Sequence, residues 1–200
     1  MSPESLASDP VGWKLAAASF VFLLLLVGAF GWLDPKRPII EGLDGPGQKK
    51  NYFSTDTSFG YAPGRLFEML GKYRRPEHFA AHRRFIRYDF VFALLYGAAA
   101  ALVIAYLQGA LARSPGDPAR PHYLWLAPVL AAAFDLLEGA TMWLILRSYE
   151  QGPPASRPTA LAAFSSLMTM GKILLLVVTF VLLLTGGAAL ILKKVWRLNL

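Results

Sequence analysis

The run Tyr123-LWLAPVLAAAFDLLEGATMWLIL-Arg147 decides how this chain is read. As a helix it is long enough to cross a bilayer, since about 20 apolar residues cover a hydrocarbon core of about 30 Å. Yet Asp135 and Glu138 stand near its middle. A charge at the centre of a spanning helix costs about 2.5–3.5 kcal/mol on insertion scales. Residues three apart share one helix face, so both carboxylates look toward the same neighbour. Lys172 is the only basic residue deep inside another apolar run, and is the expected counter-charge.

Composition agrees with a membrane reading. The chain is 55% hydrophobic and 16% charged, against about 25% charged in a soluble domain. Uninterrupted apolar runs exclude a barrel, whose strands alternate, and leave a polytopic all-α membrane protein. The absence of cysteine removes disulfides, thiolate metal sites and thiol catalysis. The net charge of +7 gathers outside the apolar runs, as at a membrane surface, and no nucleic-acid motif accompanies it.

Working outward from the central run, the spacing predicts one membrane domain over residues 1–200 with four transmembrane helices. They cover about 13–33, 85–107, 123–147 and 159–184, the last ending at Gly186-Gly187. No basic n-region precedes the first and no small-residue cleavage site follows it, so it is expected to be a retained anchor. The connection 34–84 carries Pro35, Pro38 and Gly45-Pro46-Gly47 in its irregular first half. It then forms a short amphipathic helix at about 63–70, with Gly71 as its stop. The aromatics Tyr52, Phe53, Phe59 and Tyr61 place that helix in the membrane interface. Pro76 suits the first position of a helix that continues into the second span. Pro128 either kinks the third span or marks its start. Small residues Gly97 to Ala101 permit close approach of a neighbour. Basic residues are denser on the side holding 34–84, which the positive-inside rule puts in the cytoplasm of a bacterial inner-membrane protein.

Depth along the helices defines a candidate site. Asp135 lies twelve residues from Arg147 and Lys172 thirteen from Thr159, roughly 18 and 20 Å from one membrane face. Consecutive spans joined by a short turn run antiparallel, so the charges meet. Glu138 and Tyr96 come to similar depths, and Asp89 sits nearer the surface, within reach of Arg87 or Thr141. Ser165, Thr169 and Lys172 share one face of the fourth span, and Thr179 continues it. The expected polar seam is therefore Asp89, Tyr96, Asp135, Glu138, Thr169 and Lys172. The competing explanation is that buried ion pairs fix helix register and hydroxyls bond their own helix.

His78 and His82 have the i, i+4 spacing of metal ligands but lack the glutamate of HExxH, so solvated or headgroup-facing histidines are expected and no metal or cofactor. Arg74, Arg75, Arg83, Arg84 and Arg87 are expected to meet anionic lipid headgroups. No nucleophile elbow, phosphate loop or dinucleotide fingerprint occurs, which leans away from an enzyme.

Arg-Tyr88-Asp89 with Leu-Tyr96-Gly97, then Phe-Asp135-Leu-Leu-Glu138-Gly139, then Thr169 and Lys172, resembles a group of small bacterial four-helix membrane proteins. The resemblance covers about residues 59–185. The chain departs at Gly139, commonly Asn in that group, and at Ala93, near which a proline is frequent. The resemblance implies the same buried site and carries no activity with it. Two functions are therefore expected, with lipid-modifying acid–base chemistry by the paired carboxylates a third. In one, the carboxylate–lysine cluster binds or relays a proton, an ion or a lipid headgroup. In the other, the chain is a non-enzymatic accessory subunit of a larger membrane complex.

Overall fold

The computed structural model describes residues 11–33, 59–71, 73, 76–111, 123–150 and 158–198. Among them are five helices and no strand: α1 (Gly12–Leu33), α2 (Pro63–Gly71), α3 (Pro76–Leu111), α4 (Leu126–Glu150) and α5 (Thr159–Leu198). Four of these, all but α2, are long and apolar enough to cross a membrane. At 1.5 Å per residue, α3 and α5 measure about 54 and 60 Å, well beyond a hydrocarbon core of about 30 Å.

The element starts follow local chemistry. Pro63 and Pro76 open α2 and α3, where their missing N–H is not needed and their φ is already helical. Glu77 in the first turn of α3 and Arg147 in the last turn of α4 complement the backbone dipoles. Pro128 is the third residue of α4 and is fully buried, so it belongs to the first turn rather than to a kink. Tyr123 to Trp125 form a turn ahead of that helix, not part of it.

One glycine expectation is corrected and one holds. Gly186-Gly187 does not end α5, which continues to Leu198. A Cβ at Gly186 would stand 3.1 Å from Leu107 Cδ1, so this glycine serves close helix packing rather than termination. Gly71 is the last residue of α2, as expected of its stop, although Gly60 is the only described glycine with positive φ. The end of α2 is closed by the Tyr73 N–H donating to the Leu70 carbonyl at 3.0 Å.

The chain divides into two compact units. One comprises residues 1–28, 95–131 and 174–200. Its buried side chains include Ala16, Ala99, Ala100, Val103, Ile104 and Ala131. Lys193 Nζ donates to the Ala110 carbonyl at 2.7 Å and so satisfies an orphan acceptor in the last turn of α3.

The other unit comprises residues 29–94 and 132–173. Here α2 lays its apolar face, Leu66, Phe67, Met69 and Leu70, on Phe85 and Ile86 of α3, Met142, Ile145 and Leu146 of α4, and Ala162 of α5. Arg65 and Glu68 on its opposite face are exposed. The chain itself therefore covers the apolar face of α2, and the ring of Phe67 stacks on Tyr149 with centroids 6.0 Å apart. Of the expected interfacial aromatics, Phe59 is exposed and Tyr61 is buried. Tyr52 and Phe53 lie outside the described residues.

Candidate functional site

Asp135 and Glu138 project from one face of α4, and Lys172 of α5 reaches between them. Lys172 Nζ donates to Asp135 Oδ1 at 2.8 Å and lies 2.6 Å from Glu138 Oε2. Each of the three side chains is only 5% exposed. The Asp135 contact is an aligned hydrogen bond, whereas the Glu138 Oε2 contact is an ion pair without that alignment. At an effective dielectric of about 20, each charge pair at such distances is worth about 6 kcal/mol of gross attraction. Desolvation of three charged groups offsets much of it. The centre holds two acids for one base.

Two glycines build its walls. Gly139 follows Glu138, and a Cβ there would come within 2.4 Å of Phe90 Cε1. Gly171 precedes Lys172, and a Cβ there would stand 3.0 Å from the ring of Phe134. Each missing side chain lets an aromatic ring press against backbone next to a charged residue. Gly139 is the seat of Phe90.

Thr169, one turn from Lys172, is fully buried, and its hydroxyl donates to the Ser165 carbonyl at 3.0 Å. Thr141 and Thr179 likewise donate to carbonyls of their own helices, those of Leu137 and Leu175. These hydroxyl protons are spent locally, as helix-bonded threonines do. Asp89 is half-buried on α3. Tyr96 is buried within the first unit, while the ion triad belongs wholly to the second.

Tyr61, expected to be an interfacial ring, instead docks on the polar stripe of α5. Its N–H donates to Ser166 Oγ and its hydroxyl to Ser165 Oγ, both at 2.8 Å. Its partners lie over a hundred residues away in the chain, so no local signal marks it.

The histidines also depart from expectation, being 8% and 4% exposed at His78 and His82 rather than solvated. The Tyr73 hydroxyl pairs with His82 Nδ1 at 2.8 Å, and the Tyr73 ring meets His78 edge-on at 5.8 Å. His82 serves as a hydrogen-bonding group and His78 as a packing group at the base of α3. Among the described residues no cluster of three or more metal-ligating side chains occurs. Arg83 is paired with Glu150, Arg87 lies over the Trp143 ring at 5.4 Å, and Arg84 is exposed. Arg74 and Arg75 fall outside the described residues, as does His122.

Compared with family models, with curated proteins and with solved structures, the chain matches none.

Proposed function

We propose that this chain is a small integral membrane protein of the bacterial inner-membrane type. Its Asp135–Lys172–Glu138 centre binds or relays a proton, an ion or a lipid headgroup at mid-membrane depth. One observation carries the reading: an ammonium within 2.8 Å of two carboxylates, all three nearly sealed from the surface. Ionisable groups placed inside spanning helices are expensive and mark binding or relay sites. A purely structural pair needs one acid per base, and this centre has a surplus acid. In the same picture α2 lies at the membrane interface, where its exposed Arg65 and Glu68 meet water. Arg84 and Arg87, exposed on the same stretch of α3, meet anionic headgroups.

The test uses the full chain reconstituted in vesicles of phosphatidylethanolamine and phosphatidylglycerol with an entrapped pH-sensitive dye. Decay of imposed proton and potassium gradients is compared with that of Asp135→Asn and Glu138→Gln. Native mass spectrometry of the same proteins reports retained lipid. Faster decay than in protein-free vesicles, or a lipid retained by wild type and lost by Asp135→Asn, supports the proposal. Unchanged gradients and lipid, with a stoichiometric protein partner in mild detergent, refute it in favour of an accessory subunit.

A further inference from the structure

The approach to the triad along α5 is a single polar strip. Ser165, Thr169 and Lys172 fall within about 60° of one another around the helix, and Ser165 lies about 10 Å along the axis from Lys172. Ser165 and Thr169 are 0% exposed. The segment Gly60-Tyr61, just ahead of α2, lies over the outer end of this strip. It is tied down by the Tyr61 N–H on Ser166 Oγ and the Tyr61 hydroxyl on Ser165 Oγ. Gly60 makes the fit possible, with φ at 73° and a position where a Cβ would stand 3.0 Å from Met170 Sδ. Only glycine takes that conformation without strain.

We infer that Tyr61 is the residue that closes the triad's access from the end at which α5 begins. This rests on reading the triad as a binding or relay site. A proton, ion or headgroup moving toward Lys172 from that end meets Tyr61 on Ser165, then Thr169, then the ammonium. Tyr61 thus acts as a positioning residue: its hydroxyl, on Ser165 Oγ, holds the segment shut over the strip that leads to the charged atoms. Opening requires release of the Tyr61 hydrogen bonds to Ser165 and Ser166.

Because the chain has no cysteine, Thr169→Cys places a single thiol halfway along the strip. The full chain in vesicles is treated with a membrane-impermeant trimethylammonium methanethiosulfonate, and the modification rate is read by mass. Slow modification is expected with Tyr61 intact. In Tyr61→Phe, which keeps the ring and the backbone bond, the rate is expected to rise about three- to tenfold, the shift in an opening equilibrium when one neutral hydrogen bond is lost. Gly60→Ala, crowded against Met170, is expected to raise it as well. Ala131→Cys, fully buried in the other unit, reports general loosening. An unchanged rate at position 169, or equal acceleration at position 131, overturns the inference. The gradient and lipid comparisons above keep Tyr61 intact, so either experiment can fail without the other.

Discussion

Replacing Lys172 by Met isolates the energetics of the buried centre. Met keeps the length of the side chain and deletes the charge, leaving two carboxylates at 5% exposure with no cation between them. The contacts at 2.8 and 2.6 Å represent about 6 kcal/mol of gross attraction each at an effective dielectric of about 20. Most of that is offset by the desolvation the lysine no longer suffers. The net cost of stranding one side of a buried pair is about 3–5 kcal/mol. Neutralising all three groups (Lys172→Met, Asp135→Asn, Glu138→Gln) removes the stranded charges and should return stability to within about 1–2 kcal/mol of wild type. Both variants are measured by reversible unfolding in mixed micelles, followed by tryptophan fluorescence. A single variant within about 1 kcal/mol of wild type, or a triple variant as unstable as the single, refutes the electrostatic account of the triad.

Asp135→Asn should cost more than Glu138→Gln in the same unfolding assay, by about 1 kcal/mol, because only the aspartate contact is an aligned charge-assisted hydrogen bond. Equal losses would show that alignment is irrelevant there. Gly139→Ala should destabilise by about 1–3 kcal/mol through collision with Phe90, and Phe90→Leu in the same chain should recover part of the loss. No recovery would mean that another neighbour sets the limit. Lys193→Met uncovers the Ala110 carbonyl. It should speed amide exchange in the last turn of α3 with a loss of about 1 kcal/mol, and unchanged exchange there would rule out the cap.

Much of this protein was legible in its sequence because helices long and apolar enough to cross a membrane leave few choices. A chain with apolar runs of this length must satisfy its backbone internally, and antiparallel neighbours then have their depths set by residue counts. The same arithmetic that puts Asp135 and Lys172 at matching depths also brought Glu138 to them, and the structure joins all three. Helix starts at Pro63 and Pro76 were equally legible, since proline acts on its own φ and N–H alone.

Tertiary structure alone decided everything that depends on which side chain fills the space beside a backbone. Gly186 reads as a stop until Leu107 is seen against it, and Gly139 reads as an unusual residue until Phe90 occupies the gap. His78 and His82 read as solvated until Tyr73 is folded over the base of α3. Tyr61 carries no mark of its role, because Ser165 and Ser166 are brought to it only by packing. Periodicity and charge cost are properties of one helix in its solvent, and so are written locally. Close packing and long-range hydrogen bonds belong to pairs of segments and exist only once the helices have met.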